Sequence, residues 1–347
     1  MKINYKEIFL LVIIIMCYSC EKQKSINYFD NTEHITESEL FFTDKKAILG
    51  RVFNIDVYDS LVILQHNLDE YAFSFIHSVN GELLAKWGSK GHGPNEYVQI
   101  LGDFDVYRGK LVFLDNTKHI NFVPIAEVIH QQTNFNIDRE PYPYIADFRP
   151  MRIVLMNDSI KIALGGFEKG RFGIFSSHRI LNCPYDYPFN YKEIQGIYRG
   201  SVFQSRMKTN QLENRFVLSM LSSDIFEIYQ LTDTTVERIF ISPYKHIPTI
   251  WKKGNRYTIN YARSVAGITG MAVTENYICF TYSSQSYEEA VQSSLYSNEI
   301  LFYDWNGNKV KKVILPFSIG RFCLDDNYIY GLRTEGEETC IYRFKMN

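Results

Sequence analysis

A pattern of an apolar strand, a tight polar turn and a second apolar strand recurs six times along this chain. The first residue after each turn serves as an anchor, and the six anchors are Leu61, Leu111, Ile160, Phe216, Tyr277 and Tyr328. Their spacing of 50, 49, 56, 61 and 51 residues is nearly even, which indicates six equivalent units. The fourth copy is weak and the fifth unit is long, so counts of five or seven stay open.

Each unit has room for a second hairpin. Asn80-Gly81 and Asn306-Gly307 lie between strand-like runs, and such a dipeptide predicts a hairpin with positive φ at both turn positions. Four strands in about 50 residues make one propeller blade. Aromatic residues, which favour strands, form 15% of the chain. The sequence therefore predicts an all-β, six-bladed propeller of four-stranded blades, with a short helical insertion at Tyr287–Leu295 in the fifth unit.

The two ends of the repeat predict how the ring closes. The sixth unit stops after its third strand, Cys340–Lys345, and therefore lacks an outer strand. The apolar run Glu39–Thr43 precedes the first unit and has no other partner. Pairing this run with the last blade would close the ring and cover an exposed strand edge.

The N-terminus predicts export. Lys2 and Lys6 precede the apolar run Ile8–Met16, which is too short to span a bilayer but fits a secretory signal. Ser19 is the small residue that a signal peptidase prefers before its cut, which makes Cys20 the predicted lipid attachment site. An ordinary cleaved signal with incidental cysteines is the alternative.

These features divide the chain into a lipoprotein signal (residues 1–19), a tether (20–34) and one propeller domain (35–347). We expect a lipid-anchored protein of the cell envelope, in the outer membrane, on its periplasmic or surface face. A net charge of −2 gives no electrostatic reason to expect nucleic-acid binding.

Four cysteines remain beyond the signal: Cys183, Cys279, Cys323 and Cys340. An exported protein can form disulfides, and four cysteines allow three pairings. The last three cysteines lie in apolar strand-like contexts, which favours buried free thiols.

The stretch Trp87–Tyr97 carries the most specific motif of the chain. It resembles the Gly-x-x-Gly-x-Gly-Pro-Gly-Glu-Phe/Tyr motif of TolB-like and NHL-like six-bladed propellers, in particular a lipoprotein family of gut-dwelling Gram-negative anaerobes. Asn95 replaces the usual glycine, although asparagine also tolerates a left-handed backbone. The resemblance extends over residues 35–347 and implies the fold and the cellular address, but no established reaction.

The glycines of this motif could be mistaken for a phosphate-binding loop. Such loops require a following helix, and Pro94 with the next strand-like run argues against one. We therefore expect Gly88–Gly93 to form a turn between blades, with His92 and Glu96 as minor candidates for ligand contacts.

The segment Cys183–Tyr198 is rich in Tyr, Phe and Pro and lies between the third and fourth units. Exposed aromatic residues on a loop can stack on sugar rings or grip a peptide. Tyr185, Tyr187 and Tyr191 are the predicted recognition residues. The alternative is that this loop simply packs onto the blade edge.

Two functions follow from these patterns. The first is a non-catalytic binding or scaffold module whose ligand is a small molecule, glycan, peptide or protein, with no cofactor. The second is a metal-dependent hydrolase, lactonase or lyase, as on related propellers, with axial calcium or zinc held by residues of several inner strands. Asp56 and Asp105 occupy matching positions in two units, but Leu155, Ala272 and Cys323 occupy them elsewhere, which weakens the second function.

Overall fold

The computed structural model describes most of the chain beyond the predicted export signal. The described residues are 25–43, 52–66, 70–93, 96–131, 135–142, 149–167, 169–176, 179–182, 184–191, 193–194, 196–254, 256–292, 297–336 and 338–346. The predicted signal (residues 1–19), Cys20 and Cys183 lie outside these ranges. In the described part of the chain, no helix is long and apolar enough to cross a membrane.

Consecutive strands form six mainly antiparallel sheets, each of which is one blade of a propeller. Two N-terminal strands precede the first blade: β1 (Thr32–His34) and β2 (Glu39–Thr43). Blade 1 contains β3 (Val52–Tyr58), β4 (Leu61–His66), β5 (Tyr71–His77), β6 (Leu83–Lys90) and β7 (Glu96–Tyr97). Blade 2 contains β8 (Ile100–Tyr107), β9 (Lys110–Asp115), β10 (His119–Pro124), helix α1 (Ile125–Ile129) and β11 (Asp138–Pro141).

The next two blades follow the same order. Blade 3 contains β12 (Arg149–Leu155), β13 (Ile160–Gly166), β14 (Phe172–Ser176) and β15 (Arg179–Asn182), followed by helix α2 (Gly196–Val202). Blade 4 contains β16 (Ser205–Asn210), β17 (Arg215–Met220), β18 (Phe226–Thr232) and β19 (Thr235–Ile241). A separate hairpin of β20 (Ile250–Lys253) and β21 (Arg256–Ile259) comes next, then a 3-10 helix (Tyr261–Arg263).

The last two blades complete the ring. Blade 5 contains β22 (Val265–Val273), β23 (Tyr277–Ser286), helix α3 (Tyr287–Gln292), β24 (Ser297–Asp304) and β25 (Lys309–Ile319). Blade 6 contains β26 (Phe322–Leu324), β27 (Tyr328–Glu335) and β28 (Glu338–Lys345). The prediction of six blades is confirmed, and every anchor is the first or second residue of the second strand in its blade.

N-terminal strands close the ring. β2 pairs antiparallel with β28, with Phe42 opposite Ile341, so the predicted closing strand is confirmed. β1 runs parallel to β25 and extends blade 5. Residues 25–34, which the sequence assigned to the tether, lie against this blade. Ile26 is buried there, and Tyr303 donates a hydrogen bond to its carbonyl oxygen (2.5 Å).

The alternation of strand direction gives the propeller two distinct faces. We call the face at which the innermost strands begin the upper face, and the opposite one the lower face. α2, the β20–β21 hairpin and α3 all interrupt connections at the upper face.

The helical insertion predicted in blade 5 is confirmed by α3. Ser286 and Glu289 form a reciprocal capping box at its start, with Ser286 Oγ accepting from the Glu289 amide (3.3 Å).

Two details of the sequence prediction can be checked in the core and the turns. The Asn-Gly turns need a positive φ only at Gly81 (69°) and Gly307 (84°), so the expectation of positive φ at both positions was wrong. Cys279 and Cys323 are buried free thiols, as expected, and Cys340 is buried as well. Burial raises the pKa of the Cys279 and Cys323 thiols well above its ordinary value.

Candidate functional site

The innermost strands bring charged side chains to the propeller axis in two layers. Residues two apart on a strand share a face, so Asp103 and Asp105 of β8 point the same way, as do Arg206 and Lys208 of β16. The first residue of each pair is nearer the upper face. Side chains from blades that are far apart in the sequence thereby become spatial neighbours around the axis.

The lower layer places two acids around one lysine. Lys208 of blade 4 forms an ion pair across the axis with Asp56 of blade 1. Although burial opposes its charge, the carboxylates of Asp56 and Asp105 raise the pKa of Lys208. Burial, against the attraction of Lys208, raises the pKa of Asp105 to about 6. This layer is a buried salt-bridge network that joins opposite sides of the ring.

The upper layer contains more positive than negative charge. Arg152 of β12 pairs with Asp103 (Nη2 to Oδ2, 2.5 Å), and Arg206 donates through Nη1 to the Ile268 carbonyl oxygen (3.2 Å). Arg321, directly before β26, makes no side-chain hydrogen bond or ion pair with any residue that the structure describes. Three guanidinium groups therefore face a single carboxylate.

Several donors in this layer lack an acceptor. Arg206 is only 7% exposed, and its Nε has no hydrogen-bond partner among the described residues. The same holds for Nε and Nη1 of Arg152. Burial, reinforced by the charge of Arg321, holds the pKa of Arg206 well below its usual value. Although burial favours the neutral acid, Arg152 and the two other arginines lower the pKa of Asp103. The layer is thus electrostatically suited to an added anion.

These groups line a cavity of about 410 Å³ that opens at the upper face. Gly102 belongs to its wall with a φ of +69°, and a Cβ there would overlap the Met151 carbonyl oxygen. Gly200 of α2 approaches β13 so closely that a Cβ would overlap the Gly165 carbonyl oxygen. Phe53, 42% exposed, gives the cavity one apolar surface.

A second cationic wall comes from blade 3. Arg171 forms a fully buried ion pair with Glu227, and its Nη2 donates to Ser205 Oγ (3.0 Å). Glu227 also accepts from Arg238 Nη1 (2.8 Å), so one carboxylate faces two guanidinium groups. Burial lowers the pKa of Arg171. The guanidinium carbon of Arg171 lies 5.6 Å from the centre of the Tyr187 ring, which also lines the cavity.

The three predicted tyrosines have different surroundings. Tyr187 reaches the cavity and packs on Phe203 (5.3 Å between ring centres), and burial raises its pKa to about 12. Tyr185 lies between blades 3 and 4, where its hydroxyl accepts from the Arg238 amide (2.9 Å). Tyr191 packs on Phe203 and donates to the Pro248 carbonyl oxygen (3.2 Å). A role for all three in recognition stays a prediction, and the geometry favours Tyr187.

His92 and Glu96 lie on the upper face outside the cavity. Glu96 accepts a hydrogen bond from the Gly93 amide (2.8 Å), and a Cβ at Gly91 would overlap its carboxylate. β7 follows the turn and pairs with β6, so a strand occupies the position that a phosphate-binding loop would give to a helix. A ligand contact through His92 or Glu96 stays a prediction.

The axial acids do not form a metal-binding group. The described residues contain no cluster of three or more His, Cys, Asp or Glu that could hold a metal ion. Asp56 and Asp105 do meet near the axis, as their matching positions indicated, but both face the Lys208 ammonium. The donor set therefore fits an ion-pair network.

The sequence interpretation missed Asp103, Arg152, Arg206 and Arg321. A signal was present: Asp103 and Arg152 each lie eight residues before the anchor of their blade, and the two other arginines lie ten and seven residues before theirs. Charged residues seven to ten residues before the anchor in four units predict a charged axis. The prediction of axial ligands used only the nearby positions of Asp56 and Asp105.

Comparison with known proteins agrees with this architecture. A family model described as "TolB-like 6-blade propeller-like" matches residues 29–327. The chain belongs to this family. No curated protein matches this TolB-like propeller.

Solved structures resemble the TolB-like propeller in fold. One is a protein of Bacteroides fragilis described as exported, with 12% identity and a TM-score of 0.53, covering 90% of this chain and 98% of that one. Another is a member of the DUF4221 family from Bacteroides vulgatus, with 9% identity and a TM-score of 0.48, covering 86% and 92%. At such identities only the fold is shared.

Proposed function

We propose that this protein is a non-catalytic binding module whose axial cavity holds an anionic group of its ligand. The excess of guanidinium groups in the upper layer is the observation that carries this proposal. A buried charge without a partner destabilises a fold, so an anion is the natural complement of Arg206 and Arg321. The planar fork of arginine suits carboxylate, sulfate and phosphate groups. Candidate ligands are small acids, acidic glycans and acidic peptides.

Titration calorimetry with carboxylate, sulfate and phosphate compounds tests this proposal. The protein is the chain 21–347, which retains every described strand. Arg206→Met and Arg321→Met should each weaken binding by about 10- to 150-fold, because a hydrogen bond to a charged group contributes about 1.5–3 kcal/mol. Arg108→Met, which removes an exposed arginine that pairs with Asp158, is the matched control and should not change binding.

Two outcomes would contradict the proposal. One is an affinity that neither cavity substitution alters, and the other is a panel in which no anion binds. Raising the salt concentration should weaken binding to the wild-type protein, since added ions screen the attraction.

We also propose that the protein is exported and held at a membrane by a lipid on Cys20. The charged start, the short apolar run and Ser19 support this address, and a structural neighbour from Bacteroides fragilis is described as exported. Growth with an alkyne-bearing fatty acid tests it. Labelling should occur in the wild-type protein and in Cys17→Ser, and be absent in Cys20→Ser. Labelling that survives in Cys20→Ser would refute the anchor.

A further inference from the structure

The segment between blades 4 and 5 is the most cationic stretch of the chain. Residues 239–274 contain five lysines and arginines and no aspartate or glutamate. A carboxylate from outside the segment reaches it: Asp224 accepts from the amides of Lys245 (3.0 Å) and His246 (3.0 Å). Asp224 is buried, whereas Lys252 and Arg256 of the hairpin are exposed.

The β20–β21 hairpin has an anchored side and an exposed side. Ile250 pairs with Ile259, and both pack in the cluster that contains Phe203, a residue of the cavity wall. Trp251 pairs with Thr258, so both point to the opposite side, and Trp251 is 58% exposed. Arg256 lies on the same side as Trp251, and we call these two residues the hairpin surface. The packing of Ile250 and Ile259 holds the hairpin beside the wall of the cavity.

Two tyrosines connect the hairpin with the charged layer. Tyr261 follows β21, is 45% exposed, and stacks on Tyr287 of α3 with 4.4 Å between ring centres. Burial raises the pKa of Tyr287, and the positive charges of Arg206 and Arg321 oppose that rise. The stacked pair therefore joins the end of the hairpin to α3, near the arginines of the upper layer.

The first described residues lie at the other face of the propeller. Lys309, after the lower-face turn between β24 and β25, donates to the carbonyl oxygens of Ser25 (2.6 Å) and Tyr28 (2.8 Å). Only four residues separate Cys20 from Ser25, and the five Cα–Cα steps between them can span at most about 18 Å. A lipid at Cys20 would hold the lower face near the membrane. The hairpin surface would then face away from that membrane, which disfavours a lipid surface as its occupant.

We propose that the hairpin surface extends the cavity, and that the ligand is an acidic oligosaccharide with one residue in the cavity and further residues along the hairpin. This inference rests on the proposed anion-binding function. An exposed indole offers an apolar face to the C–H face of a sugar ring, and the nearby cations pair with carboxylate or sulfate groups. In the cavity, Asp103 can accept hydrogen bonds from sugar hydroxyls beside the three arginines.

Calorimetry with galacturonic acid and hexagalacturonate tests the inference on the chain 21–347. The hexamer should bind at least tenfold more tightly than the monomer. Trp251→Ala and Arg256→Met should each remove most of this gain and leave monomer binding unchanged. Leu212→Ala and Arg108→Met, at exposed residues of lower-face turns, are the matched controls and should change neither affinity.

Three further ligands define the chemistry. A sulfated carrageenan hexasaccharide shows whether sulfate replaces carboxylate, and binding of either acid through Trp251 supports the inference. Neutral maltohexaose should not bind, and its binding at equal affinity would refute the requirement for charge. Hexaglutamate that binds as tightly as hexagalacturonate, with the same loss in Trp251→Ala, would identify an acidic peptide instead.

The outcomes separate this inference from the proposed function. If Arg206→Met weakens monomer binding but the hexamer gains nothing over the monomer, the cavity binds anions and the hairpin inference is wrong. If both saccharides bind without any effect of Arg206→Met, the proposed function itself is wrong. If no acidic saccharide binds, this ligand class is refuted.

Discussion

Asp105→Asn should stabilise the protein at neutral pH and have little effect in acid. Asp105 is buried on the axis, where Oδ1 accepts from the Val106 amide (3.0 Å) and Oδ2 has no partner among the described residues. Burial raises its pKa from an ordinary 3.8 to about 6, in spite of Lys208. Asparagine keeps the shape and the amide hydrogen bond of the neutral acid, so it removes the cost of burying the charge.

The sign and size of the change in the free energy of unfolding follow from the pKa of Asp105. Below about pH 4 the Asp105 side chain is protonated in the folded and the unfolded protein, so no charge is buried and the fold is not destabilised by it. Between pH 4 and 6 the folded protein keeps a proton that the unfolded chain releases, so the free energy of unfolding falls as pH rises. The rise of the pKa from 3.8 to about 6 corresponds to about 3 kcal/mol. The free energy of unfolding is lower by this full amount above pH 6. The stabilisation by asparagine should grow across the same interval.

Urea unfolding at pH 4, 5, 6 and 7.5, followed by tryptophan fluorescence, measures the effect. The free energy of unfolding of Asp105→Asn minus that of the wild type should rise from near zero to about 3 kcal/mol. Asp59→Asn, in an exposed turn with a φ of 49° that asparagine tolerates, is the control. A difference that stays constant with pH, or a destabilisation at pH 7.5, would refute this account of the axis.

Three other substitutions or deletions test the fold and its axis. Asp56→Asn removes the ion-pair partner of Lys208, so Asp105 should become its main counter-charge, and the pKa of Asp105 should drop below about 6 in an NMR titration. A carboxyl pKa that stays at 6 would show that the two acids do not share the ammonium. Gly200→Ala puts a methyl group onto the Gly165 carbonyl oxygen and should lower the free energy of unfolding by more than about 1 kcal/mol in urea; an unchanged value would mean that α2 moves freely. Deletion of β1 and β2 exposes the edges of two blades and should cause association in light scattering, whereas a stable monomer would show that closure is dispensable.

Local sequence signals predicted the blades because each hairpin is built from residues close together in the chain. The polar turns, the apolar runs and the unpartnered Glu39–Thr43 strand all carry this information. The axis was harder to predict, because Asp56 and Lys208 are 152 residues apart and meet only when the ring closes. Spacing within one unit cannot show which charges face each other across six blades. The sequence therefore pointed to Asp56 and Asp105 but not to the lysine between them.

The two axial layers indicate which charges the fold needs and which serve a ligand. Both layers contain side chains from β8 and β16 at positions two residues apart. The lower layer closes the ring with Lys208 between two acids. A layer with more acids than bases is thus compatible with this fold, and the surplus of arginine above it is not a requirement of ring closure. Unpaired donors such as Arg206 Nε destabilise the free protein, and an anion present at 100 times its dissociation constant would add about 2.7 kcal/mol to stability. A cavity that is costly when empty and stabilised when filled is what ligand binding requires, and the charges of the upper layer line such a cavity whereas Asp56, Asp105 and Lys208 do not.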